Sequence, residues 1–83
     1  MIKEYCPESQ TAVIRANHYG SKLSMFMEMW AEAQNDFSFL RAEDIEIKHY
    51  GGKHYARTWG IEFKVGYNAP EEYKRISQLE YTL

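Results

Sequence analysis

The chain has 83 residues, enough for one hydrophobic core and too few for two, and with 45% hydrophobic and 27% charged side chains it reads as globular rather than disordered. A net charge of −2 excludes the strong overall attraction to nucleic acid or anionic lipid that a basic chain would have. Cys6 is the single cysteine, so no intrachain disulfide framework is available.

Residues 1–10 are polar, and Pro7 and Ser9 interrupt any pattern, so this stretch reads as an irregular arm on a single domain spanning 1–83. Thr11 to Ala16 is a short, moderately apolar run that suits a first strand, and Asn17 to Ser21 is a punctuated joint. From there Leu23, Phe26, Met27, Trp30, Gln34 and Phe37 follow the spacing of one helical face, with Ser21 available as N-cap. Leu23, Met25, Met27 and Met29 also alternate as a strand would. Met, Glu, Ala and Gln favour the helix, which is expected over about 22–36.

Asp44 to Tyr50 reads as a strand, Gly51-Gly52 as a turn and His54 to Val65 as a long strand. Asn68, Pro70 and Glu71 carry the signature of a short helix start, whereas Leu79, Tyr81 and Leu83 alternate as a closing strand would. The expected architecture is α+β: one main helix packed on a small antiparallel sheet that contains a long β-hairpin. The approximate order is β-α-β-β with a short C-terminal helix or strand. Its expected core contains Phe26, Met27, Trp30, Phe37, Ile45, Ile47, Ile61, Phe63 and Val65.

His18-Tyr19-Gly20-Ser21-Lys22 returns as His49-Tyr50-Gly51-Gly52-Lys53, and this echo is too short for a structural repeat. It marks two bends. A two-residue turn at the second sets Lys48 opposite Tyr55 and Glu46 opposite Arg57, an opposite-charge pair. That register leaves Ile61, Phe63 and Val65 on the wrong face unless Trp59-Gly60 forms a β-bulge. A longer loop instead pairs His49 with Tyr55, Ile47 with Arg57 and Ile45 with Trp59. The bulge explains Gly60 and the Glu46–Arg57 pair together, and it displays Lys48, Tyr50, Lys53, Tyr55 and Arg57 in one row with Trp59 near the edge.

Between Ile47 and Ile61 there is no acid, while Lys48, Lys53 and Arg57 supply positive charge. Tyr, Trp and Arg are the residues that anchor interfaces. The row is therefore the expected partner-binding surface, and Met25 and Met29 on the helix flank form a secondary apolar one. No nucleophile elbow, paired-cysteine or phosphate-loop motif points to catalysis. His49 and His54 are weak candidates for a metal, lacking the third and fourth ligands that zinc takes, and no cofactor is implied. The expected function is a small non-catalytic protein-binding module, an inhibitor or adaptor that occludes a partner surface. The alternative is nucleic-acid binding through the basic, aromatic hairpin, which a homodimer would strengthen by doubling the phosphate contacts. The N-terminus lacks a signal-peptide apolar run and no membrane partner is implied, so the expected compartment is the cytoplasm.

Overall fold

The computed structural model describes residues 1–17, 21–50 and 58–77. Five strands and one long helix build it: β1 (Ile2–Cys6), β2 (Thr11–Asn17), α1 (Lys22–Asp36), β3 (Glu46–Tyr50), β4 (Thr58–Lys64) and β5 (Lys74–Arg75), with a single 3-10 turn at Ala42–Asp44. The strands form one mixed sheet in the order β3-β4-β2-β1-β5. β5 runs parallel to β1 and every other pair is antiparallel. This is the expected α+β class, a main helix on a sheet with hairpin-like strand pairs. Among the described residues no helix is long and apolar enough to cross a membrane.

The first correction is at the N-terminus. Residues 2–6, expected as an arm, are β1, paired along its length with β2 from Ile2 opposite Arg15 to Cys6 opposite Thr11. Pro7 to Gln10 make the turn, and Gln10 takes the left-handed conformation at φ 57°. Tyr5 and Cys6 are buried. Pro7 ends a strand here rather than marking disorder, because a proline is well placed where no further ladder donor is needed.

Alternation sorts the sheet into two faces. Lys3, Tyr5, Ala12, Ile14, Trp59, Ile61 and Phe63 point toward α1, which presses Met25, Met29 and Ala33 onto them. The small side chains of Ala12 and Ala16 leave room for the methionines. Burying one side chain such as Met29, fully inaccessible, stabilises the fold by about 1.5–3 kcal/mol. At one end of this core Phe37 meets Phe63 and Tyr73 edge-on, with ring centroids 5.4 Å apart in both cases.

The helix face is the second correction. Met25 and Met29, expected as an exposed secondary surface, are core residues, whereas Met27, expected in the core, is 62% exposed. Phe26 and Trp30 pack against the core from its flank. The inward stripe is Met25, Phe26, Met29, Trp30, Ala33 and Asp36, which has the i, i+3, i+4, i+7 rhythm and continues its line at the N-terminal end in the exposed Lys22, so that it is charged at both ends. Ser21 caps the helix by accepting from the Ser24 backbone N–H at 3.4 Å.

The third correction lies in the C-terminal segment. Asn68 and Pro70 start no helix; the Tyr73 N–H donates to the Pro70 carbonyl at 3.0 Å and the chain then enters β5. The expected alternation at Leu79, Tyr81 and Leu83 lies outside the described residues. Between β4 and this segment, Gly66 adopts φ +91° and its carbonyl accepts from the Tyr5 hydroxyl at 2.6 Å. A Cβ at Gly66 would meet nothing within 4 Å, so the backbone conformation alone penalises a side chain. Gly66→Ala is expected to cost about 1–2 kcal/mol in urea denaturation, with an unchanged m-value.

Candidate functional site

The register of β3 on β4 decides which side chains the surface presents. Tyr50 pairs with Thr58, His49 with Trp59, Lys48 with Gly60, Ile47 with Ile61 and Glu46 with Glu62, in an unbroken ladder. Neither the two-residue-turn register nor the longer-loop register expected from the sequence occurs, and there is no bulge at Trp59-Gly60. Among the described residues this register carries Trp59, Ile61 and Phe63 to the helix face directly. Because faces alternate, the expected row is divided. Lys48 and Tyr50 lie on the face away from α1 and Trp59 on the helix face. Lys53, Tyr55 and Arg57 lie outside the described residues, as does His54.

On the face away from the helix, Tyr50 is 3% exposed, contrary to its expected place in a contact row. Its ring lies across Gly60: a Cβ built there would stand 2.7 Å from Tyr50 Cε2, 2.9 Å from the Ile14 carbonyl oxygen and 3.0 Å from Arg15 Cβ. Glycine at 60 is thus the space the tyrosine fills, not a bulge. Beside it Glu46 and Glu62 face each other across the ladder, a like-charge arrangement that Lys48 relieves at 3.2 and 3.8 Å. The hydrogen bond from Lys48 to Glu46 and the charge of Glu62 hold its ammonium above the ordinary lysine range. Arg15 bridges to Glu4 at 2.6 Å on the same face. These polar side chains surround the buried Val13, and the buried Glu62 Oε2 among them is met by the Lys48 charge at 3.8 Å rather than by a hydrogen bond.

On the helix face the aromatic cluster is of a different kind. His49 stacks on Trp59 at 4.3 Å and 24°, Phe26 meets Trp59 edge-on at 5.9 Å, and the Lys22 ammonium sits 4.1 Å from the Trp59 ring centre. A lysine in the first helical turn opposes the helix dipole by about 0.3–1 kcal/mol. The Trp59 face offsets that cost. Beyond this cluster, on the outer flank of α1, Leu23 and Met27 are 69% and 62% exposed one turn apart.

The opposite end of α1 carries a second clip that the sequence reading missed. Asp36, in the last turn, also opposes the dipole, and its carboxylate accepts from Lys3 Nζ at 2.8 Å and from the Tyr73 hydroxyl at 2.9 Å. Lys3 also reaches Glu32 at 2.7 Å. Burial works to lower the Lys3 pKa, but the hydrogen bonds to Asp36 and Glu32 and their charges outweigh it and raise the value above the ordinary one. Burial, then the hydrogen bond to Asp36, pushes Tyr73 well above the ordinary tyrosine range. Both groups therefore hold their protons more tightly when folded. Their contribution to stability is present below about pH 10 and is lost as the pH rises through the folded-state values. Thermal melts are expected to be nearly flat from pH 7 to about pH 9 and to fall beyond about pH 10, with a smaller fall in Lys3→Met.

A depression of about 270 Å³ is lined by Thr11, Asp44, Glu46, Glu62, Phe63 and Lys64, slightly below the ~300–1,000 Å³ of small-molecule sites. Among the described residues no group of three or more His, Cys, Asp or Glu side chains is placed to hold a metal ion, and the weak candidate His49 is stacked on Trp59. Cys6 is buried and its thiol donates to the Ser77 carbonyl at 3.3 Å. Comparison with known protein families, with characterised proteins and with solved structures finds no significant match.

Proposed function

We propose that the protein is a small non-catalytic binding module, an inhibitor or adaptor, and that it engages a protein partner through the outer flank of α1 and the Trp59 cluster beside it. One observation carries this reading: Leu23 and Met27 are both more than half exposed, next to Phe26 and the Trp59 ring on which it packs. Large apolar side chains grouped on a surface beside an aromatic anchor are the composition of an interface centre. Lys22, already held over Trp59, puts a cation at the edge of that patch.

Nucleic-acid binding would have little help from three of the described cations. Lys48 is engaged by Glu46 and Glu62, Arg15 by Glu4, and Lys3 by Glu32 and Asp36. Each would have to give up a carboxylate to meet a phosphate.

The test is capture from native lysate with tagged wild type and with Leu23→Asp/Met27→Asp, each with and without nuclease. Both positions are exposed, so the variant is expected to keep the wild-type circular dichroism and melt. The reading expects a protein that survives nuclease and about 0.5 M salt and is lost with the variant. Capture that vanishes with nuclease, or that the variant leaves intact, would sink it.

A further inference from the structure

We infer that β3 is the edge along which the chain pairs with a second copy of itself, antiparallel about a two-fold axis at Ile47. Among the described residues β3 has a strand neighbour on one side only, β4. An edge strand is a template for pairing with another chain, and proteins that avoid such pairing shorten or charge their edges. The opposite edge of this sheet is treated in that way: β5 is two residues long and both are cations, Lys74 and Arg75. β3 runs five residues, and Ile47 at its centre is 57% exposed.

The sequence of β3 is its own complement about that axis. With Ile47 opposite Ile47 of the second copy, Glu46 stands opposite the second copy's Lys48 and Lys48 opposite its Glu46. Each pair lies on one face, because residues two apart on a strand share a face and directly opposed residues do too. Shifting the axis by one residue to Lys48 would set lysine against lysine. Within one chain Glu46 and Glu62 face each other and share the single ammonium of Lys48. In the dimer each Glu46 would meet Lys48 of both copies, while the ratio of two carboxylates to one ammonium stays the same. On the helix side the two isoleucines cover each other. The interface is isologous and closed, so it stops at a dimer with one sheet continuous through both copies.

This pairing is separate from the flank of α1, and the two fail separately: lysate capture reads the flank, and self-association reads the edge. Sedimentation equilibrium at about 0.1 mM chain is expected to give twice the mass of one chain, in a range where even weak pairing is populated. Ile47→Asp sets carboxylate against carboxylate at the axis and is expected to weaken the dimer by roughly tenfold or more. Glu46→Lys should weaken it likewise, while the exchange Glu46→Lys/Lys48→Glu restores it, since the swapped strand is again self-complementary. Circular dichroism of each variant checks the fold. A wild-type chain that stays monomeric overturns the inference, even if Ile47→Asp then loses a captured protein, because the edge would belong to a different chain. A dimer indifferent to Ile47→Asp and Glu46→Lys overturns it as well.

Discussion

Lys3→Met is expected to destabilise the protein by about 3–5 kcal/mol, the cost of leaving a buried carboxylate without its cation. Asp36 is the group left behind: its side chain is 5% exposed, and Lys3 Nζ stands 2.8 Å away. Tyr73 would still donate to it, which places the effect toward the lower end of that range. At roughly 4–8 °C per kcal/mol for a domain of this size, the melting temperature should fall by more than 10 °C. Two controls separate this from lost packing of the lysine stem. Glu32→Gln removes only the half-exposed partner of the same ammonium and should cost no more than about 1 kcal/mol. Lys3→Met/Asp36→Asn removes the stranded charge and should recover roughly half of the single-variant loss. A Lys3→Met chain as stable as wild type would mean that Asp36 does not depend on the lysine.

The second large effect is at Gly60. In an ordinary strand interior, replacing glycine by alanine gains up to about 1 kcal/mol. Here the sign is expected to reverse, with Gly60→Ala costing about 2–3 kcal/mol by overpacking. The decisive contact is the Ile14 carbonyl oxygen at 2.9 Å, a backbone atom inside the β2–β4 ladder that cannot swing aside. Tyr50 Cε2 at 2.7 Å can move only by displacing a ring that is itself buried. In a Tyr50→Ala background the same substitution should lose roughly half of its cost, since the carbonyl remains and the ring does not. Urea denaturation of the four chains measures the coupling directly. Equal costs in both backgrounds would show that the ring and the glycine do not share the space.

These two sites show what was legible in the sequence. The class of fold, the helix over 22–36 and its Ser21 cap, and strands near 11–16 and 44–50 all followed from periodicity and cap chemistry. The inward face of α1 did not. Counting bulky apolar residues selects Leu23, Phe26, Met27 and Trp30, but the sheet takes Met25, Met29 and Ala33, and the true stripe ends in Lys22 and Asp36. Charged ends disguise a buried face when the counter-groups are supplied from distant segments, here Trp59 for one end and Lys3 and Tyr73 for the other. Local patterning holds no record of such partners.

The β3–β4 register was hidden for a related reason. Gly51-Gly52 carries the strongest local turn signal, and Gly60 looked like the repair it required. The tertiary structure uses Gly60 differently, as room for Tyr50, and pairs β3 with residues 58–62. A glycine in a strand signals either a bulge or a close approach. An aromatic on the neighbouring strand was the available hint for the second. β1 was not legible because Ile2-Lys3-Glu4-Tyr5-Cys6 does not alternate apolar with polar residues, and Pro7 and Ser9 follow it at once. Of the expected contact row, the structure leaves Lys48 on the face away from α1, carries Trp59 to the helix face and turns Tyr50 into the sheet.

All of the surface chemistry rests on this register, because one residue of slip would exchange Trp59 and Ile61 with Gly60 and Glu62 between the faces. The most direct measurement is a nuclear Overhauser spectrum of the wild-type protein in the His49 and Trp59 ring region. Rings stacked with centroids 4.3 Å apart should give strong His49–Trp59 cross-peaks, lost in Trp59→Leu, together with contacts from the Tyr50 ring to Gly60. Cross-peaks joining His49 to His54, with none to Trp59, would restore the two-residue turn and contradict the surface described above.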